Sequence, residues 1–171
     1  IIVLFVFWPW QSVPTGYRGV VTQFGEIKRV EGEGLHFVKP WESLTNFNLR
    51  AKTAHVEKAE AATIDTQPVV TGLTVRYNIV PNKLAHVYEQ YSHDGDLSSY
   101  VETATMESFK AVTAQFTATE LIKKRAEVSD RVWKALNSKL DKYGANVLNI
   151  DMTQFAFSKE YMHSINQKTT E

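Results

Sequence analysis

The residues of this chain with the widest chemical repertoire are its five histidines, and their spacing does not suit a metal site. They are His36, His55, His86, His93 and His163. None lies four positions from another, so the helical H-E-x-x-H pattern that aims two imidazoles at one metal is absent. His55-Val56-Glu57 resembles the start of a zinc-deaminase motif, but that motif requires cysteine ligands and the chain has no cysteine. The sequence therefore predicts no metal site.

Other catalytic patterns are missing or have a simpler interpretation. No G-x-S-x-G sequence of the kind that exposes a hydrolase serine occurs. Gly32-Glu33-Gly34 lacks the third glycine of a dinucleotide-binding loop and is interpreted as a turn. Lys123-Lys124-Arg125 lies among acidic residues, which is typical of a solvated helix face, and Asp151 is a single carboxylate in a predicted strand. We predict no catalytic residue and no cofactor, and interpret the protein as not an enzyme.

The composition limits the classes of partner. The 171 residues contain 19 Lys and Arg and 19 Asp and Glu, so the formal net charge is zero. A neutral chain lacks the basic field that draws proteins onto nucleic acid, so no nucleic-acid partner is expected. The length suits one domain, or two small ones that share an interface.

Most strand signals lie in the first half of the chain. The clearest covers 69–79, where residues of one parity are apolar or β-branched: Val69, Thr71, Leu73, Val75, Tyr77 and Ile79. Shorter strands are predicted over 17–24, 27–30 and 35–38, with one or two more between 44 and 56.

Helices dominate the second half and are predicted over 82–91, 97–115 and 117–143. The third begins with the capping box Thr117-Ala118-Thr119-Glu120 and ends before Gly144. Its predicted buried stripe consists of Leu121, Val128, Val132, Leu136, Leu140 and Tyr143.

One more strand and one more helix complete the chain. Leu148, Ile150 and Met152 are expected to share one face of the strand, and Ser158 is expected to cap the helix. Because strands and helices are segregated along the chain, the expected fold class is α+β rather than alternating α/β.

The first ten residues form an uncharged apolar run that ends in Trp8-Pro9-Trp10. Three interpretations are open: the end of a transmembrane helix, the core of a signal peptide, and a buried strand. A ten-residue helix spans about 15 Å, half of a hydrocarbon core of about 30 Å, and indole rings favour the headgroup layer. We favour the anchor, because Gln11-Ser12-Val13-Pro14 is a poor signal-peptide cleavage site. Since the first residue is Ile1, we expect a longer protein.

Four segments, in this order, resemble the prohibitin branch of the SPFH (band 7) superfamily. Residues 17–25 resemble its G-x-R-x-V strand, and residues 31–41 resemble its E-G-x-H-F-x-x-P-W segment. Residues 117–129 resemble the helix start ELI-x-x-R-x-x-V-S, and residues 157–161 resemble the F-S/G-x-E-Y/F junction to a coiled coil. The resemblance covers about residues 14–171.

The resemblance implies a membrane-anchored scaffold without a catalytic site or cofactor. Members of the family assemble through the SPFH domain and a coiled coil into large rings or cages on a membrane. Prohibitin-like members enclose or regulate membrane AAA proteases of the FtsH type and organise lipid domains. The implied partners are the lipid bilayer, other copies of the chain or of a paralogue, and an FtsH-type protease. The implied location is a bacterial or mitochondrial inner membrane.

The anchor and the resemblance together predict an α+β SPFH domain with a strand-rich N-terminal half and a helix-rich C-terminal half. The expected layout is the end of a transmembrane helix at 1–13, a first SPFH subdomain at 14–80, a second at 81–157, and the start of a coiled-coil helix at 158–171. Residues 11–17 contain no Lys or Arg. By the positive-inside rule, this favours the non-cytoplasmic (non-matrix) side for the domain.

Two sets of residues are candidate contact sites. The membrane-interface candidates are Trp8, Trp10, Phe37 and Trp41, although Trp41 is equally compatible with the domain core. The oligomer-interface candidates are Lys123, Lys124, Glu127, Asp130, Arg131, Tyr161 and Ile165. A solvated helix face is the alternative for the charged members of the second set. A smaller membrane-surface adaptor with one partner, and an uncharacterised hydrolase, are the alternative functions.

Overall fold

The computed structural model describes residues 9–91 and 95–157. Strands dominate the N-terminal portion and helices occupy much of the C-terminal portion, so the expected α+β class is confirmed. Inside the described ranges, no helix is both long enough and apolar enough to cross a bilayer. The expected start of a coiled coil at 158–171 lies outside the described residues.

Contacts divide the chain into two compact units, which are described separately. The first unit comprises residues 1–51 and 78–97, and the second comprises residues 52–77 and 98–171. The expected subdomain boundary at residue 80 differs from this division. The physical reason is strand pairing, because the two strands within residues 52–79 form a sheet with strands from the end of the chain.

The first unit contains two small antiparallel sheets. Their strands are β1 (Trp10–Val13), β2 (Tyr17–Gln23), β3 (Glu26–Glu31), β4 (Gly34–Phe37) and β5 (Glu42–Asn48). β1 pairs with β4, which we call the β1–β4 ribbon, and β2 lies between β3 and β5 in a three-stranded sheet. Because Trp10–Val13 is a strand, the helical anchor expected through residue 13 is wrong for these four residues.

The strand β2 lies in the core of the first unit and is buried on both faces. Val20 and Val21 are fully buried, as is Phe47 on the neighbouring strand β5. A 3₁₀ turn (Pro81–Lys83) and helix α1 (Leu84–Gln90) also belong to this unit. The ring of Tyr88 on α1 lies 5.7 Å from that of Phe47, edge to face. The apolar residues of β2 therefore hold the sheet that positions the strand ends described below.

The second unit is built on a four-stranded sheet. Its strands are β6 (Lys52–Ala62), β7 (Pro68–Ile79), β8 (Ala145–Met152) and β9 (Ala156–Phe157). β7 pairs with β6, with β8 and with β9. The predicted alternation along 69–79 is confirmed, since all six residues of that face are buried. The burial pattern of β8 differs from the prediction, because Val147 and Ile150 are buried while Leu148 is exposed.

The second unit contains three helices: α2 (Ser98–Thr113), α3 (Ala118–Lys123) and α4 (Arg125–Lys142). Of these, α2 packs on β6 and α4 packs on β8. The predicted capping box is confirmed, with Glu120 N donating to Thr117 Oγ1 at 3.2 Å and Thr117 N donating to Glu120 Oε2 at 3.0 Å. Gly144 follows α4 with φ of +76°, the left-handed geometry expected after a helix end. Leu121, Val128, Val132, Leu136 and Leu140 of the predicted stripe are fully buried.

The prediction of a single helix over 117–143 is wrong, because the helix is interrupted at Lys124. This residue has φ of −108° and ψ of 33°, outside helical geometry. In an unbroken helix, Lys124 and Arg125 would occupy the buried stripe between Leu121 and Val128. Because the helix is interrupted, both side chains lie outside the buried stripe and are exposed. The Arg125 guanidinium donates to the carbonyls of Met152 and Thr153.

We expect Thr117→Ala to lower the free energy of unfolding by about 1 kcal/mol, because the N-cap hydroxyl would be lost. Urea denaturation followed by circular dichroism measures this change. Ser138→Ala, at an exposed position inside α4, is the matched control and should not destabilise the protein. Equal stability of Thr117→Ala and the control would contradict the role of the cap.

Candidate membrane-facing surface

The β1–β4 ribbon presents an apolar face to solvent. Trp10 is paired with Phe37 in the ladder, and their ring centroids lie 5.6 Å apart at 75°. Leu35 is on the same face as Phe37, two residues earlier, and all three side chains are exposed. Val13 points the other way and is buried. The ribbon therefore holds three large apolar side chains in water, and burying them elsewhere would be favourable.

Trp41 lies in a tight turn rather than in the core. Glu42 N donates to Lys39 O at 2.9 Å, which closes the turn with Pro40 and Trp41 at its centre. The Trp41 side chain is more than half exposed, and Lys39 Nζ lies 5.9 Å from its ring centroid. The core interpretation of Trp41 is therefore wrong, and its indole is available to an external partner.

Phe24 is an exposed aromatic residue that the sequence analysis missed. It lies at the tip of the β2–β3 hairpin and is 89% exposed. Its φ is +49° and that of Gly25 is +87°, so both residues of the turn have left-handed backbone. Gly accepts this geometry without cost, whereas a bulky residue is strained there. The available signal was Gly25, directly after the strand predicted over 17–24, because two-residue hairpin turns require left-handed backbone that glycine accepts.

Phe24 and Trp41 lie at the same end of the three-stranded sheet. In the ladder between β2 and β5, Gln23 is opposite Glu42. Phe24 directly follows the first of these residues and Trp41 directly precedes the second. The sheet therefore places both aromatic residues beside one strand end, although 16 other residues separate them in the sequence.

An ion pair joins this strand end to the β1–β4 ribbon. Arg29 on β3 donates from Nη1 and Nη2 to the two carboxylate oxygens of Glu42 at 3.0 and 3.1 Å. Arg29 Nη2 also donates to the carbonyl of Phe37 at 2.9 Å, and its Nε donates to Glu31 at 2.6 Å. The Glu42 side chain is only 2% exposed. A single guanidinium therefore fixes the end of β4 and the start of β5.

The same contacts set the charge state of Glu42. The hydrogen bond from Arg29, followed by that from the Lys39 backbone N–H, holds the pKa of the Glu42 carboxyl below its ordinary value. A charged carboxylate buried between these donors is favourable only while its partners remain. The geometry of the Trp41 turn therefore depends on Arg29.

The charged residues of α4 form a separate surface in the second unit. Arg131 pairs with Glu127 at 2.8 Å, and Lys134 pairs with Asp130 at 2.7 Å, each within the helix. Exposed pairs of this kind contribute little to stability. In the described part of the chain, Lys123 has no ion-pair partner. Whether this surface meets another copy stays a prediction.

Three candidate contact residues lie outside the described residues: Trp8, Tyr161 and Ile165. Of the membrane candidates, the structure pairs Trp10 with Phe37 and connects the Trp41 turn to them through Arg29. Among the described residues, no group of three or more His, Asp or Glu side chains is arranged to hold a metal ion.

We expect Glu42→Gln to destabilise the protein most at neutral pH. The lowered pKa means that ionised Glu42 stabilises the fold above its ordinary value of 4.5, and that this stability is lost as pH falls through the lower folded value. The difference between wild type and Glu42→Gln in urea denaturation should therefore shrink below about pH 4.5. Glu26→Gln, at an exposed pair with Lys28, is the control, and an equal pH profile for both variants would contradict the prediction.

We expect Phe24→Asn to stabilise the fold by up to about 1 kcal/mol, because asparagine accepts left-handed backbone in this type of turn. The same variant should bind liposomes less well, since an exposed aromatic ring is lost. Thermal unfolding and vesicle flotation measure the two effects. A variant that is less stable than wild type would show that Phe24 packs within the protein.

Sequence comparison adds an independent finding. Residues 11–171 match the model of the SPFH domain / Band 7 family. Prohibitin 1 of Drosophila melanogaster is 32% identical over 160 residues, which cover 92% of this chain and 57% of that protein. Mitochondrial prohibitin complex protein 1 of Caenorhabditis elegans is 30% identical over 160 residues, covering 92% and 58% respectively. Prohibitin-1 of Saccharomyces cerevisiae is 28% identical over 160 residues, covering 92% and 55%.

These matches confirm the resemblance drawn from the four sequence segments. The chain spans a little over half of the length of these curated relatives. The family model covers nearly all of the chain, and the strand-rich and helix-containing portions follow in the expected order. The chain belongs to the SPFH (band 7) family and is a prohibitin-like member of it.

Proposed function

We propose that this chain is the SPFH part of a membrane-anchored scaffold that assembles into a large ring or cage on a membrane. Membership of the family supports a scaffold at a membrane. The observation that carries the proposal for this chain is the exposed apolar face of the β1–β4 ribbon, formed by Trp10, Leu35 and Phe37.

The position of this face in the chain supports a lipid partner. The ribbon begins directly after the apolar run of residues 1–8, which we propose to be the end of a transmembrane anchor. Val38 N donates to Pro9 O at 2.7 Å, so the chain is held to β4 as it enters the ribbon. Large aromatic residues beside an anchor suit the headgroup layer, where the rings contact acyl chains and the indole N–H contacts water.

The proposed membrane contact extends to the strand end that carries Phe24 and Trp41, which Arg29 links to the end of β4. Both side chains are exposed, and both adjoin the Gln23–Glu42 pair. Lys39 adds a cation next to the Trp41 ring, and cations near a bilayer favour anionic headgroups. Five apolar side chains would then contact the interface of a single bilayer leaflet.

Assembly is the second part of the proposal. The SPFH domain is followed, in this proposal, by a coiled-coil helix that starts in 158–171 and carries Tyr161 and Ile165. Many weak lateral contacts can hold a ring when each copy is fixed to the same membrane, because anchoring raises the effective concentration. A heterologous contact repeated around an axis closes such a ring.

The proposed scaffold organises lipids and proteins in its membrane and encloses or regulates an FtsH-type AAA protease. The names of two relatives contain the word mitochondrial, those from Arabidopsis thaliana and Caenorhabditis elegans. We accordingly propose an inner membrane, mitochondrial or bacterial, with the domain on the non-matrix or non-cytoplasmic side. Co-purification of the protease with the full-length protein in mild detergent tests this partner.

We expect the double variant Trp10→Ser/Phe37→Ser to lose binding to vesicles of mixed neutral and anionic phospholipid in a flotation assay. The reason is the loss of roughly 200 Å² of aromatic surface that the bilayer would cover, since both side chains are about half exposed. The assay uses the chain without the run 1–8, mixed with vesicles, after circular dichroism has shown that each protein is folded.

Leu148→Ser is the matched control, because Leu148 is also an exposed apolar residue but lies on β8 in the second unit. It should float as wild type does. Flotation of the double variant at the wild-type level would contradict the proposed membrane role of the ribbon. Equal loss in the control would show that general hydrophobicity, rather than this surface, determines binding.

A further inference from the structure

We propose that the outer edge of β8 binds a short extended segment of a partner polypeptide, which adds to the sheet as a further strand. The contact combines backbone hydrogen bonds at Ile150 with a row of side chains on α4. This site belongs to the second unit, whereas the proposed membrane-facing surface belongs to the first. The inference goes beyond the proposed scaffold and does not depend on it.

The site exists because β8 is an edge strand. The sheet of the second unit has the order β6-β7-β8, and among the described residues no strand lies beyond β8. An edge strand presents unpaired backbone N–H and C=O groups to any chain that can reach them. The opposite edge, β6, is less suitable, because a bulge leaves the charged residues Glu57 and Lys58 outside the ladder.

The backbone of Ile150 points away from the sheet. Thr153 N donates to Gly72 O on β7 at 3.0 Å, so the backbone of Thr153 points inward. Backbone groups of successive residues alternate between the two sides of a strand, which turns those of Met152 and Ile150 outward. The contact from Arg125 to the Met152 carbonyl agrees with this direction. Ile150 therefore offers a donor and an acceptor on the open side of β8.

Side chains of α4 cover the two ends of this edge. The Arg125 guanidinium donates to the Met152 carbonyl at one end. At the other end, Val147 N donates to Asn137 Oδ1 at 3.0 Å. Because both contacts involve backbone groups in the plane of the sheet, this side of α4 must lie along the outer edge of β8. Residues 148–151 remain open between the two contacts.

Two further side chains of the same row on α4 face the open part of the edge. Ser129 and Trp133 lie between Arg125 and Asn137 at the helical spacing of four, and both are partly buried. In the part of the chain that the structure describes, neither the Ser129 hydroxyl nor the Trp133 indole N–H has a hydrogen-bond partner. A tryptophan N–H usually acquires a partner when it becomes buried, and a backbone carbonyl of an added strand would supply one.

The space beside Ile150 can hold an added strand. Two adjoining hollows of about 350 and 460 Å³ share Ala126, Ser129 and Ile150 in their walls. Ala126 and Ser129 have small side chains, so a second backbone can approach the edge without displacing α4. A paired strand lies about 4.8 Å from its neighbour, and an aliphatic side chain on it would enter the hollow over Ile150.

The chemistry and the length of the open edge select the occupant. Outward N–H and C=O groups are completed by the backbone of another extended chain, whereas an acyl chain or a helix leaves them unsatisfied. A second copy that paired its own β8 would require the whole edge of eight residues, and Arg125 and Asn137 already occupy its ends. A short segment that pairs with residues 148–151 requires no such displacement.

Peptide selection on the full-length protein in mild detergent tests this site. The probe is a phage library of seven-residue peptides with apolar residues at alternate positions, counter-selected against a Ser129→Trp variant. A selected peptide, made synthetically, should slow hydrogen–deuterium exchange of the backbone amides in 148–152, as measured by mass spectrometry. The same peptide N-methylated at alternate amides should bind at least about tenfold more weakly, because it has lost the donors that pair with β8.

Three variants locate the contact on α4. Ser129→Trp should abolish peptide binding, because the indole fills the hollow beside Ile150. Ser138→Trp is the matched control and should bind as wild type does, since Ser138 is exposed and projects about 180° away from Ser129 on the helix. Trp133→Phe keeps an aromatic ring but loses the indole N–H, and should weaken binding about fivefold. Circular dichroism confirms that each variant is folded.

Four results would overturn the proposal. The first is a selection that enriches no peptide, and the second is equal binding of the N-methylated and parent peptides, which would show a side-chain groove rather than strand addition. The third is unchanged binding to Ser129→Trp. The fourth is slow exchange at 148–152 in wild type without any peptide, which would show that the chain itself or a second copy already covers this edge.

Discussion

The ion pair between Arg29 and Glu42 is the interaction on which the geometry of the first unit depends. It is bidentate, its carboxylate is nearly inaccessible to water, and the same guanidinium also holds the carbonyl of Phe37. A paired arrangement of this kind is far more favourable than either charge left alone in the same place. Three strands thus converge on one side chain, and the aromatic residues around them have fixed positions without being packed into a core.

Each of the two units exposes a large apolar side chain in a connection between consecutive strands. Phe24 and Ile64 both lie in connections between consecutive strands, and both are largely exposed. In each connection a residue other than glycine has left-handed backbone, Phe24 itself in one and Thr66 in the other. Such strain persists only where the surrounding hydrogen bonds determine the conformation. Exposed apolar tips on rigid connections are therefore a property of both halves of the molecule.

Sequence reasoning succeeded where one physical signal dominated. The alternation along β7, the capping box at Thr117 and the buried stripe of α4 each follow from a local sequence pattern, and the structure confirms them. It failed where two signals competed. The break at Lys124 arises because two charges fall on an apolar stripe, and helical propensity alone does not reveal which of the two effects prevails.

The membrane-facing surface was predictable only in part. Trp10 and Phe37 could be predicted as membrane candidates because they are aromatic. Their contact with each other depends on the register between β1 and β4, which the sequence does not indicate. Arg29 and Glu42 are 13 residues apart, and no local pattern indicates that such residues will form an ion pair. No local pattern indicates the division into two compact units either, since it follows from pairing between strands that are distant in the sequence.

The shortness of the β1–β4 ribbon has a consequence for how this segment can vary. β1 has four residues, and Val13 is the one that it buries. Because neighbouring side chains of a strand point to opposite faces, the burial of Val13 decides that Trp10 points outward. One residue inserted between Trp10 and Val13 would turn the indole to the opposite face while leaving the amino-acid content almost unchanged. The β1 segment can therefore tolerate substitution of its polar residues, but not an insertion or a deletion of one residue.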